Sequence, residues 1–142
     1  MIRYLLDSNI IAEPIRKIPN QQVLRHLQQA KDQIAISATI WHEMCFGCQR
    51  LPDSQRRRDI EFYLNHVVTP TIPCLPYDEK AATWHAAERA RLTKMGLVPP
   101  FADGQIAAVA YVNGLILVTN NEADYQNYQG LQMENWFNAS IN

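Results

Sequence analysis

No apolar run in this 142-residue chain approaches the ~20 residues needed to cross a bilayer, and the opening MIRYLLD lacks the apolar stretch of a signal peptide. The expectation is a soluble, cytoplasmic protein with no membrane association. Charge of one sign is also lacking. The formal net charge is -1, which excludes a polycation that holds nucleic acid by bulk electrostatics, so any nucleic-acid contact must be local. Cysteine is scarce: three residues, an odd number, do not build a secreted disulfide framework, which agrees with a reducing compartment. Internal repeats, low-complexity tracts and linkers are missing, and the length suits one compact domain that closes its core without staples. Residues 1–142 are therefore read as a single domain.

What the chain does have is a regular alternation of short apolar runs and helical patterns. Ile2 to Leu6 reads as a buried strand that stops abruptly at Asp7, with a short helix after it. In VLRHLQQA, Val23, Leu24 and Leu27 share a helical face. QIAISA, from Gln33 to Ala38, is a second strand, followed by a long helix through Trp41, Met44, Cys45 and Cys48 that carries Glu43. Pro52, Asp53 and Ser54 mark a break before a helix with Ile60, Tyr63 and Leu64 at helical spacing, which is expected to end before Pro70. TIPCLP offers a third strand, and its two prolines place it at a sheet edge. Tyr77 to Met95 is helical with Gly96 as its stop, and Pro99 and Pro100 open the helix that bears Asp103. Gly114 closes that helix, LILVT is a fourth strand, and LQMENW supplies a fifth. This pattern argues for an α/β sandwich around a mostly parallel central sheet of about five strands with right-handed crossovers.

Four carboxylates fall where these strands give way to helices: Asp7, Glu43, Asp103 and Asp124. Ligands of α/β sheets gather at the carboxyl ends of the strands, so the four point to one pocket. Ionised carboxylates that close repel one another and must take up protons or hold a counter-charge; a hard cation such as Mg2+ or Mn2+ prefers their oxygens. Each acid alone has an ordinary explanation. Asp7, before Ser8 and Asn9, could cap a helix, Asp103 could serve the helix start at the proline pair, Glu43 could be a solvated helix residue, and Asp124 could belong to a turn with Asn120, Asn121 and Glu122. Their common edge is what favours a site. The basic groups Arg50, Arg56, Arg57 and Arg58, and later Arg89, Arg91 and Lys94, are either phosphate contacts or solvated helix faces. Cys45 and Cys48 form a single C-x-x-C after His42, with no second cluster to complete a zinc site, and lie on apolar helical spacing that favours packing. Trp84 and His85 read as packing residues, and His26 and His66 carry no supporting neighbours.

Taken together, LLDSNIIAE, an acid within the helix after strand two, FADGQIAAVA, VTNNEADY and the terminal GLQMENW resemble the PIN-domain ribonucleases, most closely the VapC toxins of type II toxin–antitoxin systems. The resemblance spans nearly the whole chain with the motifs in family order. It implies a PIN-like three-layer sandwich and metal-dependent hydrolysis of RNA phosphodiester bonds, with exposed RNA loops as the usual sites. It assigns Asp7, Glu43, Asp103 and Asp124 to the acidic quartet that holds Mg2+ or Mn2+, with Asp7 and Asp103 as the foremost direct ligands. Ser8, Asn9, Thr119 and Asn120 are the expected supporting groups around them. It further implies a homodimer and a cognate VapB-like antitoxin whose tail covers the acidic cleft and competes with the cation through an Arg or Lys. Two departures stand out: Ser8 where the family often has Thr, and Gly104 where a larger residue is usual, which puts the local helix start in doubt.

Rival readings fare less well. A phosphatase using Asp7 as nucleophile wants a second acid where this chain has Asn9, and a receiver domain needs paired acids near the start and a later lysine after a strand. A catalytically silent PIN-fold binding module remains the alternative to the nuclease.

Overall fold

Short strands β1 (Tyr4–Leu6), β2 (Ile34–Ser37), β3 (Cys74–Leu75), β4 (Ile116–Val118) and β5 (Met133–Glu134) form one sheet in the order β3-β2-β1-β4-β5. Every neighbouring pair is parallel. The structure, a computed structural model, describes residues 1–137; residues 138–142 of the single-domain reading lie outside the described residues. The connecting helices are α1 (Ser8–Ile11), α2 (Gln21–Gln29), α3 (Ala38–Gln49), α4 (Gln55–Tyr63), α5 (Thr69–Thr71), α6 (Glu79–Lys94) and α7 (Phe101–Val112).

The strand order follows from how the chain winds. It steps outward from β1 to β2 to β3, then returns to the other side of β1 as β4 and steps outward again to β5. Right-handed crossovers send these two runs to opposite faces, and the connections part between β1 and β4, which opens a crevice at their carboxyl ends. Leu6 pairs with Val118 there, and the Asp7 N–H continues the ladder to the Val118 carbonyl at 2.9 Å. The third strand lies at the edge, as its prolines require.

The core is made where the strands read as unbroken apolar runs. Leu5, Leu6, Ala35, Ile36, Leu117 and Val118 are no more than 1% exposed, as expected for strands covered on both faces. Helix α7 is apolar nearly all round and is buried accordingly, from Ile106 through Ala110. Ser37 starts α3 directly after β2 by accepting the Ile40 N–H at 3.2 Å, which sets Glu43 on the next turns.

Two local expectations are corrected. The helix after Ser54 does not end before Pro70. A π turn over Leu64–Val68 carries it into α5, where Pro70 sits in the first turn and its missing N–H leaves no intrahelical bond unmade. Gly104 does not loosen the start of α7, which runs from Phe101 without a break. The reason for glycine is space: a Cβ at position 104 would lie 2.0 Å from His85 Nε2. His85 is buried on α6, with its Nδ1 hydrogen-bonded to the Tyr77 hydroxyl at 2.8 Å, so the glycine lets α6 and α7 approach. Helix propensity alone would make Gly104→Ala stabilising by about 1 kcal/mol. The clash predicts the opposite sign, a loss of about 1–3 kcal/mol, read as a lower midpoint in urea unfolding.

Candidate active site

Asp7 ends β1, caps α1 and is 5% exposed. Its Oδ1 accepts the Ser8 N–H at 2.8 Å, and its Oδ2 accepts the hydroxyls of Thr119 at 2.8 Å and Tyr125 at 3.3 Å. Burial pushes the carboxyl above its ordinary value, the three donors pull it back, and the charge of Asp124 adds to the rise. The capping role and the site role therefore coexist in one residue.

The other acids turn toward it. Glu43, half-buried on α3, is raised first by burial and then by the charge of Asp7, with Ser8 and His42 working the other way. Asp103 lies in the first turn of α7 and is pushed up to about 6, by burial first and then by Asp124, Asp7 and Glu43 in turn. Asp124 is exposed on a 3-10 turn, Glu122–Asp124, just beyond β4. All four thus share one electrostatic neighbourhood at the β1/β4 crevice. The ion pairs of the described residues lie elsewhere, so no lysine or arginine among them neutralises the four. Asp103 does not cap α7, which begins at Pro100 without a side-chain cap bond; the positive end of that helix favours its ionised form.

The supporting residues divide. Ser8 orients Asp7 through its N–H. Asn9 does not touch Asp7; its Oδ1 accepts the Asn120 N–H at 3.0 Å and so ties the loop after β4 to the start of α1. Thr119 is fully buried, donates to Asp7 and accepts the Asn121 N–H at 3.0 Å. Asn120 receives the Asn135 amide at 3.2 Å on the exposed side of the loop.

Sequence reasoning missed Tyr125, Glu88 and the task of Arg91. Tyr125 is 2% exposed, and burial together with Asp7, Asp103 and Glu43 raises its phenol, so it meets Asp7 as a protonated donor. Its position next to Asp124 was the one available signal. Buried Glu88 accepts two bonds from Arg91, at 2.8 and 2.9 Å, and the Gln129 N–H at 2.8 Å. Arg91 also donates to the Asn127 carbonyl at 2.6 Å, so the pair straps the loop after Asp124 to α6. Arg91 is thus committed inside the protein rather than to phosphate. Arg57 and Arg58 likewise pair with Glu61 and Asp53. Cys48 is buried with its thiol donating to the Arg57 carbonyl, and burial raises both Cys45 and Cys48, which fits packing. His26, expected to lack supporting neighbours, stacks on Trp136 with ring centroids 5.0 Å apart.

The donor set is all oxygen and carries excess negative charge, which fits a hard divalent cation. Among the described residues no three Asp, Glu, His or Cys side chains converge closely enough to cage a metal by themselves. A cation here would take one or two carboxylates and complete its shell with water and substrate oxygens, which is how Mg2+ commonly binds.

Comparison with known proteins agrees with this geometry. The PIN domain family pattern matches residues 4–130. The tRNA(fMet)-specific endonuclease VapC of Shigella flexneri is 34% identical over 139 residues, covering 96% of this chain and 99% of that one. The crystal structure of FitAcB from Neisseria gonorrhoeae superposes with a TM-score of 0.87 at 27% identity, over 96% of this chain and 99% of that one. DNA-bound VapBC from Salmonella typhimurium gives a TM-score of 0.82 at 26% identity, with 96% and 99% covered.

A carboxyl raised from 3.8 to about 6 makes the folded protein bind more protons than the unfolded chain between those values, so its contribution to stability falls as pH rises through that window. Asp103→Asn should therefore raise the melting temperature of the metal-free protein at about pH 7.5 and have little effect at about pH 4; after allowance for solvent screening the gain is about 1 kcal/mol. Equal melting shifts at both pH values would remove the charge as its cause.

Proposed function

The chain belongs to the PIN-domain family, and from that premise we propose that it is a VapC-type endoribonuclease toxin that hydrolyses phosphodiester bonds in structured cellular RNA and is neutralised by a cognate antitoxin. The observation that carries the reading is the gathering of Asp7, Glu43, Asp103 and Asp124 around one crevice with no lysine or arginine paired to them among the described residues. Mg2+ or Mn2+ is the cofactor of this reading, the cytoplasm its compartment and a homodimer its working form.

Asp7 and Asp103 would hold the ion directly, and Glu43 and Asp124 through water. Bound there, a divalent cation lowers the pKa of a water and offsets charge on the attacking and leaving oxygens. The chain's own contribution is placement. Ser8, Thr119 and Tyr125 fix both oxygens of Asp7 before any ligand arrives. Asp124, exposed and with a side chain that accepts no hydrogen bond from described residues, would be the carboxylate available to orient the attacking water. The antitoxin would neutralise the crevice by placing a guanidinium or ammonium among the same carboxylates, with DNA contact left to the antitoxin.

Purified protein incubated with total cellular RNA and Mg2+ or Mn2+ should yield discrete fragments that vanish with chelator. Asp7→Asn should lower cleavage by more than about 100-fold, and Thr119→Val by about 10–100-fold, the usual cost of losing a group that orients a ligand. No cleavage by folded, metal-loaded protein free of antitoxin would favour the binding-module reading. Adding antitoxin should weaken Mn2+ binding in a titration; equal affinity in free and complexed protein would exclude inhibition by charge replacement.

A further inference from the structure

A cleft of about 270 Å3 opens directly beside the acids and is not used by anything described so far. Asp103 and Asp124 belong to its lining, and Leu97, Val98 and Pro99 supply apolar side chains to it. Asn127 and Tyr128 also line it, each carrying a polar group, a side-chain amide and a hydroxyl. Neither group has a hydrogen-bond partner among the described residues, although Tyr128 is only 6% exposed. The Tyr128 oxygen is not sealed in the core, where His26 Nε2 stands alone as a buried side-chain atom without a partner among the described residues. It therefore keeps access to solvent, and its phenol is raised first by burial and then by the charge of Asp103, in whose field it lies. Position is also well defined, because Arg91 binds the Asn127 carbonyl and Glu88 holds the Gln129 N–H, which fixes the segment between.

These features select a chemistry. Asp103 and Asp124 are the groups that would hold the cation and, through it, the scissile phosphate, and the rest of the lining carries no basic side chain to bind a second phosphate. Apolar side chains in one lining with an amide and a hydroxyl suit a flat, neutral ring with hydrogen-bonding edges, and the volume, at the low end of ligand pockets, suits one ring system rather than a whole nucleotide. Proteins that act on single-stranded RNA hold unstacked bases in this way, on an apolar surface with polar groups at the base edge. We infer that the cleft between Val98 and Tyr128 is a nucleobase subsite: it takes the unpaired base next to the scissile phosphate, and Asn127 and Tyr128 read its edge. This rests on the ribonuclease reading above, and Asn127 and Tyr128 are specificity-determining rather than catalytic residues. The cleft thereby explains how a chain with net charge -1 engages RNA locally.

The test compares wild type, Asn127→Ala and Tyr128→Phe on RNA oligonucleotides randomised around a mapped cleavage site, with products sequenced. The expected result is a base preference at a single position flanking the cut in the wild type, relaxed by about tenfold in either variant, the loss expected for one hydrogen bond to a base edge. An independent arm titrates the four nucleosides, without phosphate and without metal, into the folded Asp7→Asn protein while following the Asn127 side-chain amide by NMR. One or two nucleosides should shift that resonance, and Asn127→Ala should abolish the effect on neighbouring cleft residues. If the wild type cuts RNA and both variants keep its base preference, the subsite is overturned. Variants that weaken antitoxin binding while leaving base preference intact would assign the cleft to the inhibitor peptide and overturn it equally. If RNA is never cut but a nucleoside still binds at Asn127, the nuclease reading fails and base recognition by the cleft stands.

Discussion

The site depends on one buried contact, the hydrogen bond from the Thr119 hydroxyl to Asp7 Oδ2 across the β1/β4 crevice. It exists because Leu6 pairs with Val118, so the next residue of each strand emerges side by side. A slip of one residue in this parallel register would turn Asp7 to the other face of the sheet and leave a buried carboxylate without donors. From that contact the rest follows outward. Thr119 also receives the Asn121 N–H, Asn9 receives the Asn120 N–H, and Tyr125 completes the shell of Asp7 from the loop beyond. Strand register thus becomes loop geometry, and loop geometry places Asp124.

The second anchor of that loop comes from α6. Buried Glu88 and half-buried Arg91 form a pair whose remaining capacity is spent on the backbone of Asn127 and Gln129. Desolvation offsets much of the attraction in such a pair, so its net contribution to stability is small, yet removing one partner strands a charge and is strongly destabilising. What the pair supplies is position. It holds the segment with Tyr125 and Tyr128 between two fixed points, β4 on one side and α6 on the other, so acids from distant parts of the chain meet in a defined arrangement.

Much of this was legible in the sequence, for identifiable reasons. The four acids announce themselves because strand ends are marked by apolar runs that stop, and an α/β chain has one edge where such ends meet. The edge position of β3 followed from prolines, and the packing of Cys48 from apolar spacing. What escaped notice depends on contacts between elements far apart in sequence. Glu88 looks like any charge on a helix until Gln129 and Arg91 enclose it, and Tyr125 becomes a donor to Asp7 only through a separation of 118 residues. Gly104 stood out only as a departure from the family's larger residue, whereas its cause is the imidazole of His85 on another helix. Pro70 was read as a stop because a straight α-helix cannot hold it, and the π turn before it changes the register of the backbone bonds.

The same acids that make the crevice useful make it unfavourable when empty of positive charge. Asp7, Glu43 and Asp103 are all raised, each partly by its neighbours, so at neutral pH the fold keeps together charges that the unfolded chain would separate. Stability given up at a site is the common cost of electrostatic preorganisation. A ligand that binds only the folded form returns stability as RT ln(1 + [L]/Kd), about 2.7 kcal/mol at a hundredfold excess over Kd. A divalent cation and an antitoxin guanidinium would both relieve the same repulsion. Competition between them then needs no conformational switch: the inhibitor has only to satisfy the charge that the cation would otherwise satisfy, and the loop strapped by Glu88 and Arg91 keeps the crevice in one shape for either.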